Sequence, residues 1–135
     1  MIERPFTVLV VDDEPPLRRI LERALARAGY RVLVAAGPEE GYALLNSEQP
    51  DALLLDIHMP TMSGMALYIA IINRWPALEG CIAIMTGDAE ADEVRTWLEH
   101  HRCMVIRKPF DLSRVTDWLQ DVARFRQRRT GNGSA

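Results

Sequence analysis

Asp12, Asp13, Asp56, Thr86 and Lys108 are side chains of the types that together can handle a phosphoryl group. Three carboxylates brought close repel one another, and some stay protonated unless a cation joins them. A ligand set made only of oxygen, with no histidine or cysteine cluster, favours a hard ion, Mg²⁺ before Zn²⁺. Such an ion keeps several waters and commonly shares its remaining positions with a phosphate. Thr86 offers a hydroxyl donor and Lys108 an ammonium, both suited to phosphoryl oxygens. A carboxylate beside the ion and facing those two groups is equipped to accept a phosphoryl group. Taken singly, each residue has a plainer role: Asp12-Asp13 as a helix cap, Asp56 as a loop cap, Thr86 as a strand-end hydroxyl, Lys108 as a surface charge. One compositional fact favours Lys108. Of 16 basic residues 15 are arginine, so the lone lysine supplies a compact point charge where the chain otherwise writes a planar fork.

These residues are useful only if the fold brings them together. The stretch Ala52-Leu-Leu-Leu-Asp56-Ile-His-Met-Pro60 is a short apolar run that ends at a carboxylate, and it reads as a strand buried on both faces. Similar runs predict strands over Phe6–Val11, Tyr30–Ala35, Cys81–Met85 and Cys103–Ile106. Between them lie helical patterns. The first opens at Pro15-Pro16, turns Leu17, Ile20, Leu21, Ala24, Leu25 and Ala28 inward, and is closed by Gly29. The second runs from Pro38 to about Ser47 with Tyr42, Leu44 and Leu45 inward. The third opens at Ser63-Gly64 and stops before Pro76, and the fourth spans Ala89 to His100 with few apolar positions. A fifth, capped by Asp111 or Ser113, turns Leu112, Val115, Leu119, Val122 and Phe125 inward. Strand and helix alternating five times demand a parallel sheet with right-handed crossovers and helices on both faces. Asp12, Asp13, Asp56, Thr86 and Lys108 each follow the end of a strand. They therefore face one edge, the carboxyl edge where open α/β sheets hold their ligands.

Composition narrows the rest. At 135 residues the chain is expected to be one domain, residues 1–127, with 128–135 as a flexible tail. No apolar run approaches the ~20 residues of a membrane span, and Met-Ile-Glu-Arg-Pro does not begin a signal peptide. A net charge of −3 gives no case for nucleic-acid binding by this domain. Cys81 and Cys103 lack metal-site spacing and read as buried free thiols of a cytoplasmic protein. The absence of a P-loop or a Gly-rich dinucleotide loop argues against a nucleotide.

With these residues in place, the sequence resembles a response-regulator receiver domain, the phosphoacceptor half of two-component signalling, from about Phe6 to Phe125. Val-Asp-Asp-Glu-Pro at 11–15 is similar to the family's acidic pair, and Leu-Leu-Asp-Ile-His-Met-Pro at 54–60 to its phosphorylation motif. Met-Thr-Gly at 85–87 and Arg-Lys-Pro-Phe at 107–110 match its hydroxyl and lysine motifs. The resemblance implies a flavodoxin-like five-stranded sheet of order 2-1-3-4-5 with five helices. It implies that Asp56 takes a phosphoryl group from a histidine kinase or phosphotransfer protein, in a Mg²⁺-dependent reaction that switches binding of a protein effector. Asp12, Asp13, Asp56 and the main-chain carbonyl of His58 would hold the ion, while Thr86 and Lys108 would bind the phosphoryl group. A cis Lys108–Pro109 bond is implied as well. So is a signalling module that slowly hydrolyses its own aspartyl phosphate without turning over external substrates.

One position departs from the family pattern: Val105 stands where an aromatic usually swings inward. Gly-Asp after Thr86 and the Lys-Pro-Phe-Asp-Leu run are similar to receivers attached to hybrid sensor kinases. Two rivals remain open at this point. A haloacid-dehalogenase-type phosphatase shares the Asp, Thr and Lys but needs an acid two residues after the nucleophile, where this chain has His58. A degenerate receiver acting only as a binding scaffold is the other, with Val105 in its favour. At the mouth of the site, His58 is either a solvent-facing loop residue or a limit on the approach of water, and Asp88 either caps the helix from Ala89 or also accepts a hydrogen bond from the water that attacks the phosphoryl group.

Overall fold

The structure, a computed structural model, describes residues 5–59, 62–87, 96–97, 100–101, 103–109 and 111–133, with side chains as far as Arg126. Its centre is a parallel sheet of β1 (Thr7–Val11), β2 (Arg31–Ala35), β3 (Ala52–Asp56), β4 (Ile82–Thr86) and β5 (Met104–Arg107), in the order β2-β1-β3-β4-β5. β1, β3 and β4 are buried along their whole length, as apolar runs without alternation require. The register sets Val11 beside Leu55 and Asp56 beside Met85, so the strands end nearly level. The order reverses between β1 and β3. Asp12 leaves one of these strands and Asp56 ends the other, which puts both at the crevice where doubly wound sheets bind ligands.

Four α-helices stand among the described residues: α1 (Pro15–Arg27), α2 (Pro38–Glu48), α3 (Gly64–Arg74) and α4 (Leu112–Gly133). A 3₁₀ turn over Pro76–Leu78 joins α3 to β4. The sequence predicts five helices; the missing one, Ala89 to His100, falls mostly outside the described residues, where only Thr96 and Trp97 are seen as helical. None of the described helices is long and apolar enough to cross a membrane.

Several inward assignments need correction. In α2 the buried stripe is Pro38, Gly41 and Leu45, while Tyr42 turns outward onto the Trp75 ring. Gly41 lies so close to β1 that an added Cβ would stand 2.9 Å from Val11 Cγ2, so the buried valine would have to shift to admit even an alanine. Ile20 of α1 and Phe125 of α4 are also exposed, and Cys103 is half-buried rather than buried. Tyr42, Ile20 and Phe125 each border an apolar helical stripe whose covering element sequence periodicity does not specify, and Cys103 lies just ahead of β5. α4 stays helical to Gly133, through most of the segment expected to be a flexible tail. Arginine and glutamine between 124 and 129 are good helix formers and carry the helix past Phe125, whereas nothing in Thr130-Gly-Asn-Gly133 explains its last turn. Asp111 is the cap: its carboxylate accepts from the Ser113 amide at 3.0 Å.

Candidate phosphoryl-acceptor site

The acidic pair is held by the turn that joins β1 to α1. Asp12 is fully buried; its amide donates to Ala35 O, and its Oδ1 accepts from the Glu14 amide at 2.8 Å. That contact is a local turn, not a helix cap, for Glu14 itself occupies the N-cap position of α1 without a side-chain bond. Arg18, one turn into α1, donates from Nη1 to the carbonyl of Asp12 at 2.7 Å and clamps the turn from behind. Asp12, Asp13, Glu14 and Asp56 each bring a carboxylate oxygen to within 4.8 Å of the others. The three expected acids are thus brought together, and Glu14 joins them.

Asp56 is buried at the end of β3, and its Oδ1 accepts from the His58 amide at 3.2 Å. Burial, and then the neighbouring Asp12 charge, push its carboxyl up from an ordinary 3.8 to about 6; Lys108 and the His58 amide offset part of that rise. Lys108 follows β5, where its amide donates to Thr86 O at 2.8 Å and ties the two strand ends together. The Lys108–Pro109 peptide is cis. Its ammonium lies 3.1 Å from Asp12 Oδ2, 3.3 Å from Asp56 Oδ1 and 3.4 Å from Glu14 Oε1. Burial alone lowers an ammonium's pKa, but the charges of Asp56, Asp12 and Glu14 outweigh it and hold Lys108 above its ordinary value. Thr86 is buried at the end of β4, level with Arg107 of β5. His58 is exposed at the mouth, and Asp88 lies outside the described residues.

A glycine fixes the loop below the acceptor. Gly64 opens α3, donates its amide to Ile57 O at 2.9 Å, and leaves no room for more: an added Cβ would run into the Asp56 carbonyl oxygen and stand 2.7 Å from Ile57 Cα. Both neighbours are backbone, so a side chain here displaces the strand end that carries the acceptor. Gly64→Ala is therefore expected to cost about 1–3 kcal/mol, as overpacking does, and to slow phosphorylation of the fraction that stays folded. Denaturant unfolding and initial phosphorylation rates check the two parts. Unchanged stability would show that the loop yields freely.

The sequence profile of the response regulator receiver domain matches residues 8–120, most of the chain. The chain belongs to the response regulator receiver domain family. This receiver is 32% identical over 94% of its length to the DNA-binding transcriptional regulator NtrC of Proteus hauseri, spanning 27% of that protein. It is 33% identical over 96% of its length to the phosphate regulon transcriptional regulatory protein PhoB of Pseudomonas aeruginosa, spanning 55% of it. The receiver thus covers about a quarter and about half of these relatives. The structure of Vibrio cholerae chemotaxis protein CheY4 superposes with a TM-score of 0.79 at 26% identity, covering 88% of this chain and 99% of that one. As a member of this family the chain is a phosphoacceptor module of two-component signalling, and the phosphatase reading falls away.

Within the receiver, Glu14, Arg18 and Gly64 are site residues that motif reading passed over. Glu14 and Arg18 look like an ordinary helix start, and a glycine before an apolar helix looks like a turn. Val105 is half-buried in β5, paired with Ile84, and brings no ring to the site. Activation by a beryllofluoride mimic is therefore expected to shift amide resonances after Asp56 and Thr86 more than those of β5, since a ligand moves a conformation only through contacts that differ between its states. Large shifts running through Val105 into α4 would contradict this.

Proposed function

We propose that Asp56 is the phosphoacceptor of this receiver, that Asp12, Asp13, Asp56 and the His58 carbonyl hold Mg²⁺, and that Thr86 and Lys108 bind the transferred group. The observation that carries this reading is the meeting of the Lys108 ammonium with the buried Asp56 carboxylate, 3.3 Å apart, beside the acidic cluster. The donor set fits a hard dication: it is all oxygen, it is crowded, and burial with Asp12 already raises the Asp56 carboxyl. When bound, Mg²⁺ neutralises the clustered acids and offsets charge on the phosphoryl oxygens.

The chain's own residues do the rest. Ionised Asp56 attacks phosphorus with one oxygen. The bond from phosphorus to the leaving nitrogen of a phosphohistidine breaks as the new O–P bond forms, and its electron pair stays on the imidazole, which takes a proton from solvent. Lys108 turns from its carboxylates to a phosphoryl oxygen, and the Thr86 hydroxyl donates to another. Hydrolysis of the acyl phosphate by water later returns the carboxylate. The donor is a histidine kinase or phosphotransfer protein, and the site of action is the cytoplasm.

Acetyl phosphate with Mg²⁺ tests the reading directly. Intact-protein mass spectra should show one added phosphoryl group, absent when EDTA replaces the metal. No addition in the presence of Mg²⁺ would leave the fold as a scaffold without phosphorylation chemistry.

A further inference from the structure

Glu14 is the one member of the carboxylate cluster to which the reading above gives no task. It is also the exposed member of the three that surround Lys108, with 61% of its side chain open to solvent. The two buried partners, Asp12 and Asp56, are the carboxylates a dication needs. An ammonium and a dication cannot share them without repulsion, and the energy between like charges a few ångströms apart is several kcal/mol even at an effective dielectric constant of about 20. The lysine must leave these two when the ion arrives. Its amide, bonded to Thr86 O, keeps the backbone in place. Only the side chain can move, and Glu14 Oε1 already lies 3.4 Å from the ammonium.

We propose that Glu14 is a positioning residue: it holds the Lys108 ammonium at the mouth of the site while a dication occupies Asp12 and Asp56, and delivers it to the incoming phosphoryl group. The metal-free protein shares the ammonium among three carboxylates. With the ion bound, Glu14 alone keeps it close. When a phosphoryl group arrives, its oxygens offer the ammonium more negative charge than one exposed carboxylate, and the lysine swings inward. This rests on the Mg²⁺ site proposed above.

The chain itself supplies the probe. Lys108 is its only lysine, so protein grown with ¹³C-lysine shows a single set of lysine side-chain resonances. Mg²⁺ is titrated into wild type and Glu14→Gln, both followed by these resonances and by the backbone amides of 12–14 and 56–58. In wild type the lysine Cε resonance should move to a new position, still distinct and broader than that of a solvated lysine. In Glu14→Gln the ion should drive it to the sharp position of a solvated lysine, and phosphorylation by acetyl phosphate at saturating Mg²⁺ should slow by several-fold. Glu14 is exposed, so the variant is expected to fold, and its amide spectrum reports whether it does. A lysine signal that does not move when the amides show the ion bound would overturn the inference, as would the same Mg²⁺-bound position in both proteins. Amides that never respond to millimolar Mg²⁺ would instead remove the metal site and the inference with it.

Discussion

Replacing Asp56 with asparagine should abolish phosphorylation and, without metal, make the protein more stable at neutral pH. The second effect follows from the sign of the shift at this carboxyl. Folding lifts it from 3.8 to about 6, chiefly by burial and then by Asp12. Between these two values the folded protein keeps a proton that the unfolded chain has lost. Stability is therefore highest below the unfolded value, falls as pH rises through the window, and is flat above about 6. A shift of this size corresponds to at most ~3 kcal/mol. Relaxation around Lys108 and access of water reduce the expected gain in Asp56→Asn to about 1–2 kcal/mol at pH 7.5. For a domain of this length that is a rise of ~3–8 °C in melting temperature. At pH 4 the difference should nearly vanish. Millimolar Mg²⁺ should raise the melting temperature of wild type, because it binds only the assembled site, and should do little for the variant. Thermal melts of both proteins at two pH values, with Mg²⁺ and with EDTA, check all of this. A variant less stable than wild type at pH 7.5 in EDTA would mean that Lys108 over-compensates the buried charge.

The second large effect belongs to Lys108. Lys108→Arg keeps the charge but replaces a compact ammonium with a planar fork, in a space bounded by carboxylate oxygens 3.1–3.4 Å from Nζ. Phosphorylation from acetyl phosphate is expected to slow ~10²-fold, the usual consequence of losing one donor to a developing charge. Mg²⁺ binding should survive, since the ion's carboxylates are untouched. Quenched time courses at several donor concentrations separate a slower chemical step from weaker donor binding. Wild-type rates in this variant would show that the solitary lysine is an accident of codon usage.

Much of this is legible in the amino-acid sequence. β1, β3 and β4 are short apolar runs that end at Val11, Asp56 and Thr86, and buried parallel strands leave just that trace. Once the strands are placed, parallel topology puts every strand-end residue on one edge. Asp12, Asp13, Asp56 and Lys108 therefore came together as expected, and buried Thr86 ends the strand beside them. What stayed hidden depends on close approach. Gly41 carries no signal in the sequence and Gly64 reads only as part of a helix start, yet they mark where backbone meets β1 and the acceptor loop. Turning Gly41 to the sheet rotated Tyr42 outward, against its apolar character. Glu14 was hidden for another reason: its partner stands 94 residues away, and nothing local announces the pairing. The exposure of Ile20 and Phe125 likewise depends on what covers the rim of a stripe, which periodicity does not record.

The most direct test of the central claim is to locate the phosphoryl group. Wild-type protein, Asp56→Asn and Asp12→Asn should each be incubated with acetyl phosphate and Mg²⁺, then cleaved at acidic pH and mapped by peptide mass spectrometry. The account predicts one phosphorylated peptide in wild type, with the group on Asp56, none in Asp56→Asn, and a much reduced yield at the same residue in Asp12→Asn. A phosphoryl group on Asp12 or Asp13, or full modification of Asp56→Asn, would contradict it.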